Sequence, residues 1–191
     1  RGLPPKTSAT GLISASLVQE SIDRDIQEEF IPMTVPRVCG IDVAHGGDSR
    51  TVLTFRRGPL VRKEDIYKFS EANNMVLADK IAMILAKERP DVAFIDAHGA
   101  GKGVYDRLIQ LRYTNVVPAY SGDRSVVVER LNYYNPRAEW WGTMAQWLTE
   151  SKIPPDDDLR QELVAQPVSR DAGNRLKLMS KEDMLETIGH A

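Results

Sequence analysis

The sequence lacks the features of several protein classes. Its 191 residues include one cysteine, Cys39, which cannot form an intrachain disulfide and is expected to fill space in the core. A reducing compartment agrees with this cysteine content. No apolar run approaches the ~18 residues of a transmembrane helix, so no membrane span is predicted. The formal net charge of −2 provides no global positive field, and any nucleic-acid contact must come from a local basic patch. There is no internal repeat, and no glycine-lysine loop of the kind that binds ATP phosphates.

Two apolar runs in this chain each end in an aspartate that a glycine turn follows. Val38–Asp42 leads to Gly46-Gly47, and Val92–Asp96 leads to Gly99-Ala100-Gly101. Their β-branched and aromatic residues favour strands. Because open α/β sheets bind ligands at the carboxyl ends of their strands, two strand ends that carry carboxylates predict a shared acidic site.

The segments around these runs predict a mixed α/β sheet. Thr51–Arg57 and Leu60–Phe69 are predicted strands on either side of a Gly58-Pro59 reversal, so the sheet opens with three antiparallel strands. The predicted elements that follow are a helix from Asn73 or Asn74 to about Glu88, the strand Val92–Asp96, a helix from Val104 to about Arg112 and a strand at Asn115–Ala119. This strand–helix–strand rhythm implies parallel pairing through helical crossovers.

This element order, with aspartates on the first and fourth strands, is that of the ribonuclease H-like fold. In that fold the first and fourth strands are neighbours, so Asp42 and Asp96 would lie close together. Two adjacent carboxylates repel unless a cation joins them, and Mg²⁺ or Mn²⁺ suits such oxygen ligands. Two such ions ~4 Å apart can activate a water and stabilise the leaving oxygen of a phosphodiester. Either aspartate alone could instead be a turn or helix-cap residue, and it is the pair in this strand order that favours the metal site.

Four stretches resemble the C-terminal nuclease domain of the large terminase subunit of tailed double-stranded DNA bacteriophages. They are Gly40–Asp48 with Thr51–Leu53, Phe94–Gly101 through Leu108, Asn135–Trp141, and Leu176–Asp183. The resemblance implies a two-metal, Mg²⁺- or Mn²⁺-dependent endodeoxyribonuclease that cuts concatemeric viral DNA. It implies metal binding by Asp42 and Asp96 and an additional acid at Asp48. The third metal-binding acid of the family follows the last helix in a motif resembling His-Ser-Pro-Asp, whereas this sequence reads Gly189-His190-Ala191 and does not include it.

The resemblance also implies a domain organisation and a set of partners. Residues 1–36 are expected to be an arm from an upstream domain, and residues 37–191 the ribonuclease H-like nuclease domain. The absence of an initial Met and the segment Arg1–Pro5 lead us to expect a domain excised from a longer polypeptide. The implied partners are double-stranded DNA, the N-terminal ATPase domain, the small terminase subunit and the portal, but no membrane. The implied location is the host cytoplasm, at the portal vertex of the procapsid during packaging.

Several basic residues are candidates for contact with DNA phosphates. Arg56, Arg57, Arg62 and Lys63 flank one turn and could form a basic hairpin beside the acidic site, or only a solvated strand pair. Lys102 follows the glycine turn after Asp96, and Lys181 could orient a scissile phosphate. The tryptophans are expected in the core, because the helical spacing of Trp140, Met144 and Trp147 on one face favours packing over base stacking.

Two other functions remain open from the residues alone. A glycine turn after Gly40-Ile41-Asp42 also suits an actin-like or phosphotransferase ATPase core, although such proteins need a second half with another phosphate loop. A non-catalytic docking module, for example one that contacts a capsid portal, is the other alternative.

Overall fold

The computed structural model describes residues 11–44, 49–121 and 132–179. The described α-helices are α1 (Ala15–Asp23), α2 (Asn74–Glu88), α3 (Ala100–Gln110), α4 (Pro136–Leu148) and α5 (Asp157–Ala165). The described strands are β1 (Arg37–Asp42), β2 (Thr51–Arg57), β3 (Ile66–Phe69), β4 (Val92–Asp96), β5 (Val116–Ala119), β6 (Val168–Arg170) and β7 (Leu176–Leu178). Short 3-10 helices lie at Glu28–Phe30 and Lys63–Asp65. No described helix is long and apolar enough to cross a membrane.

The chain forms two compact units. The sheet unit comprises residues 25–120 and 151–154, and the helix–hairpin unit comprises residues 1–24, 121–150 and 155–191. The division into an arm of residues 1–36 and a nuclease domain of residues 37–191 stays a prediction.

Five strands of the sheet unit form one mixed sheet in the order β3-β2-β1-β4-β5. β1 pairs antiparallel with β2, and β2 pairs antiparallel with β3. β1 pairs parallel with β4, and β4 pairs parallel with β5. The prediction that the first and fourth strands are neighbours is therefore confirmed.

One face of this sheet carries the hydrophobic core of the unit. Alternation along the strands puts Cys39 and Ile41 of β1 on that face, beside Leu53 and Phe55 of β2, which are each 0% exposed. The helices α2 and α3 cover it with apolar stripes, and complete burial of each such side chain contributes about 1.5–3 kcal/mol. The helical residues in this core are Leu77, Ala78, Ile81, Ala82, Leu85, Val104 and Leu108. The role predicted for Cys39 as core filler is confirmed.

Two predicted element boundaries are wrong. The third strand begins at Ile66 and not at Leu60, because the Asp65 carboxylate accepts hydrogen bonds from the Arg62 backbone and side chain and stabilises a 3-10 turn. The helix expected to start at Val104 begins at Ala100, so the predicted glycine turn forms its first turn. Asn73 is the cap of α2, as one of the two predicted alternatives, and accepts from the amides of Met75 and Val76.

The helix–hairpin unit is built from α1, α4, α5 and the β6–β7 hairpin. Within it α1 contacts both α4 and α5, and the side chains of Ser14, Asn135 and Asp156 cap the three helices. The described part of α4 buries Pro136, Ala138 and Leu148. Trp140 is 44% exposed and Met144 37%, so the prediction that this face of α4 lies in the core is wrong for both residues.

Candidate active site at the ends of two parallel strands

Asp42 and Asp96 lie side by side at the carboxyl ends of β1 and β4. The parallel register pairs Ile41 with Ile95, and each aspartate is the next residue of its strand. Neighbouring strands are about 4.8 Å apart, so the two residues are one strand spacing from each other. The residue before each aspartate, Ile41 or Ile95, is buried in the core. Because successive strand residues point to opposite faces, both aspartate side chains lie on the face opposite the core. Asp42 is exposed and Asp96 half-buried.

The carboxylate of Asp96 is oriented by the turn that follows it. Its Oδ1 accepts a hydrogen bond from the backbone N–H of His98 at 3.1 Å. The next residue along, Gly99, has φ +53° and is the N-cap of α3. The N–H of Gly101 then donates to the His98 carbonyl at 3.0 Å. The chain thus turns sharply between strand and helix, which keeps Asp96 at the strand end.

Gly101 is needed for the close approach of α3 to β4. A Cβ atom at this position would stand 1.8 Å from the carbonyl oxygen of Asp96 and 3.7 Å from Cβ of Val43. Only glycine allows backbone contact at this distance. The first turn of α3 is therefore packed directly on the residue that carries one of the two carboxylates.

The residues present fit a hard divalent cation. Mg²⁺ is commonly bound through one or two carboxylates while it keeps several water molecules, and Asp42 and Asp96 supply two such groups on an exposed face. Among the residues described, no group of three or more His, Cys, Asp or Glu side chains is placed to hold a metal ion. Asp48, expected as an additional acid, and Lys181, expected near the scissile phosphate, lie outside the described residues.

The four basic residues expected to flank the acidic site are at the other end of the sheet. The register places Val52 opposite Asp42 and Arg56 opposite Val38, and four residues of strand correspond to about 14 Å. Arg62 and Lys63 precede β3 at this same end. The expected position beside the carboxylates is therefore wrong, because the strand direction carries this turn away from them.

Most of these cations also have identified partners. Arg57 donates to the carbonyls of Met33 and Val35, and Arg62 forms ion pairs with Asp65 and Glu28. Arg56 donates to the Gly58 carbonyl.

Lys102 lies in the first turn of α3, where it forms an i,i+4 ion pair with Asp106 at 2.5 Å. This hydrogen bond raises the pKa of the Lys102 ammonium. Contact of Lys102 with a phosphate stays a prediction, and it would compete with this pair.

The register reveals one basic residue that sequence reasoning missed. Lys68 pairs with Val52, and Val52 pairs with Asp42. We call this line of residues across the sheet the carboxylate row; its members are Lys68, Val52, Asp42, Asp96 and Ala119. The alternation of side chains along a strand already predicts that Lys68 lies on the opposite face from Tyr67 and Phe69. Only the pairing of β3, β2 and β1 shows that Lys68 lies in line with Asp42.

Comparison with known proteins relates this fold to one group of viral domains. No protein-family model and no curated protein matches the sequence. The nuclease domain of the large terminase subunit gp2 of bacterial virus Sf6 superposes with a TM-score of 0.73 at 14% identity, over 94% of this chain and 92% of that one. The large terminase nuclease of thermophilic phage G20c gives 0.60 at 10% identity, over 94% and 95%. The HK97 bacteriophage large terminase gives 0.55 at 12% identity, over 94% of this chain and 42% of that chain.

Some of these domains have been solved with divalent metals. A mutant of the Sf6 domain has been solved with calcium and with manganese, and the G20c nuclease with bound magnesium and with bound cobalt. The similarity, together with the mixed sheet and its strand order, confirms the predicted ribonuclease H-like fold. The chain thus has the fold found in the nuclease domains of phage large terminase subunits.

Proposed function

We propose that this chain is the nuclease domain of a phage large terminase subunit and hydrolyses phosphodiester bonds of double-stranded DNA with Mg²⁺ or Mn²⁺. The observation that carries the proposal is the parallel pairing of β1 with β4, which places Asp42 beside Asp96 on an exposed face of the sheet. The fold shared with the Sf6 and G20c nuclease domains supports it.

The two aspartates act together in this proposal. Their backbones are held about one strand spacing apart by the parallel pairing of β1 with β4. Two like charges at this separation repel, so the pair is arranged to bind positive charge. A divalent cation, when bound, supplies the charge that activates a water and stabilises the leaving oxygen. The His98 amide donates to Asp96 Oδ1 and so orients a carboxylate that would hold the cation.

The biological setting follows from the same proposal. The domain would cut concatemeric DNA at the start and end of packaging, joined to an N-terminal ATPase domain and working with the small terminase subunit and the portal. Its location would be the host cytoplasm at the portal vertex. Neither ATP hydrolysis by an actin-like core nor non-catalytic docking has a supporting observation in the described ranges of the chain.

Plasmid cleavage by aspartate variants tests the proposal. Asp42→Asn and Asp96→Asn keep the size of the side chain but remove its charge, and each should lower the cleavage rate in Mn²⁺ by at least about 100-fold, since metal affinity depends on these groups. Asp25→Asn is the matched control, because Asp25 is exposed and belongs to neither strand. The variants should be made in the full-length protein.

Mn²⁺ titration calorimetry distinguishes a loss of metal binding from a loss of DNA binding. Both site variants should bind Mn²⁺ more weakly than the Asp25 control while their thermal unfolding midpoints stay similar. If the two site variants cut plasmid as fast as the control, the carboxylate pair is not the nuclease centre.

A further inference from the structure

We propose that Lys68 is a DNA-contacting residue of this site and binds a backbone phosphate next to the one that is cut. The inference rests on the proposed nuclease function and adds a substrate-binding residue to it. Lys68 is exposed and lies in the carboxylate row at the β3 edge of the sheet.

The side of the sheet from which Lys68 projects is determined by its neighbours in β3. Tyr67 packs edge-to-face on the core residue Phe55, with ring centroids 5.9 Å apart, and Phe69 also contacts the core. Successive strand residues point to opposite faces. Lys68 is therefore on the face of Asp42 and Asp96, away from α2 and α3.

The distance along the row suits contact with a neighbouring phosphate. Lys68 is two strands from Asp42, which is about 10 Å between backbones. Between them stands Val52, a short apolar residue that an extended lysine can cross. A lysine ammonium on its flexible four-carbon stem can thus reach toward DNA held at the carboxylates without entering the metal site itself.

A cation at this position offsets an electrostatic repulsion between the site and DNA. Two adjacent carboxylates repel the phosphates that they must approach, and a cation in the same row offsets that repulsion for the DNA strand. Among the described strands, Lys68 is the basic member of this row, whereas Arg56 on the same face is about 14 Å from it. At about 0.1 M salt, screening over roughly 10 Å makes the nearer cation the more effective one.

Lysines on edge strands also have a common structural role, and this role leads to different predictions for Lys68. Lysines on edge strands prevent the open strand from pairing with other chains. If that were the only role of Lys68, its replacement would promote self-association and would leave the salt dependence of DNA binding unchanged.

The test measures binding of a labelled random-sequence duplex in Ca²⁺ at several salt concentrations. Lys68→Ala and Lys68→Gln should each weaken binding about eightfold at 0.1 M salt, since one phosphate contact contributes about 0.9 to the slope of log affinity against log salt. The slope itself should fall by about 1, and Lys68→Arg should restore both values. In cleavage assays the loss should appear mainly in KM.

Lys80→Ala is the matched control, because it removes the same charge from an exposed lysine of α2, the helix that covers the core face of the sheet and not the face of the carboxylate row. Its affinity should stay within twofold of the parent protein. If Lys68→Ala and Lys80→Ala give the same affinity and slope while Asp42→Asn is inactive, the Lys68 assignment is wrong and the nuclease proposal stands. If Asp42→Asn and Asp96→Asn cut normally, the nuclease proposal fails and this inference fails with it.

Discussion

Gly101→Ala should disrupt both the stability and the active site of this domain, although it adds a single methyl group. The added Cβ would stand 1.8 Å from the Asp96 carbonyl oxygen, whereas ordinary contact begins at 3.4 Å. The difference, 3.4 − 1.8 = 1.6 Å, is the separation that α3 and the end of β4 would need. Overpacking typically costs about 1–3 kcal/mol, and we expect about 3 kcal/mol because the obstacle is backbone rather than a flexible side chain.

Thermal unfolding and plasmid cleavage would report the two consequences separately. For a domain of this size a loss of about 3 kcal/mol corresponds to an unfolding midpoint lower by about 6–12 °C. A displacement of about 1 Å at the Asp96 carboxylate should reduce cleavage about 100-fold in the protein that remains folded.

Gly103→Ala provides the control within the same helix. A Cβ at Gly103 would meet only Asn74 Nδ2, at 3.8 Å. There the higher helix propensity of alanine should raise stability by about 0.5–1 kcal/mol and leave cleavage unchanged. Unfolding of Gly101→Ala at or above the parent midpoint would contradict this prediction, as would equal shifts of the midpoint in the same direction for the two variants.

Two further predictions concern buried groups of the sheet unit. Burial raises the pKa of the Asp65 carboxyl, but hydrogen bonds from Arg62 and the charge of Arg37 outweigh it and leave the pKa below its ordinary value. The stabilisation by ionised Asp65 is therefore complete above about pH 4 and lost as pH falls further. Asp65→Asn should lower the free energy of unfolding in urea by about 2 kcal/mol at neutral pH and by much less at acid pH. An equal loss at both pH values would contradict this prediction. Burial raises the pKa of the Cys39 thiol to about 12. The thiol should not react with a thiol reagent until the protein is denatured, and rapid reaction of the native protein would show that β1 opens.

Local chemistry was sufficient to predict most elements of the sheet unit. Val38–Asp42 and Val92–Asp96 are rich in residues that favour strands, and glycines follow closely after each. The apolar stripe at Leu77, Ile81 and Leu85 predicts α2, and its cap at Asn73 is a short-range interaction. These signals lie within a few residues of each other, so they can be read without knowledge of the fold.

The errors arose where side-chain and backbone contacts overruled the apolar pattern of a segment. Leu60–Phe69 looks like one strand, but the Asp65 carboxylate binds Arg62 within the segment and Arg37 outside it, and the strand begins only at Ile66. The glycines before Val104 look like a turn, but Gly101 packs against β4, so the helix starts at Ala100.

The pattern of residues along the chain predicts two strands that end in carboxylates and an order that favours a parallel pair. Which charges share the row of Asp42 and Asp96 depends on the folded sheet, because register is a property of paired strands and not of any one of them. In the folded sheet Arg56 and Arg57 lie at the end far from the two acids, and Lys68 lies in line with them. Residues distant along the chain become neighbours through backbone hydrogen bonds between strands, whose pattern no single stretch of sequence contains.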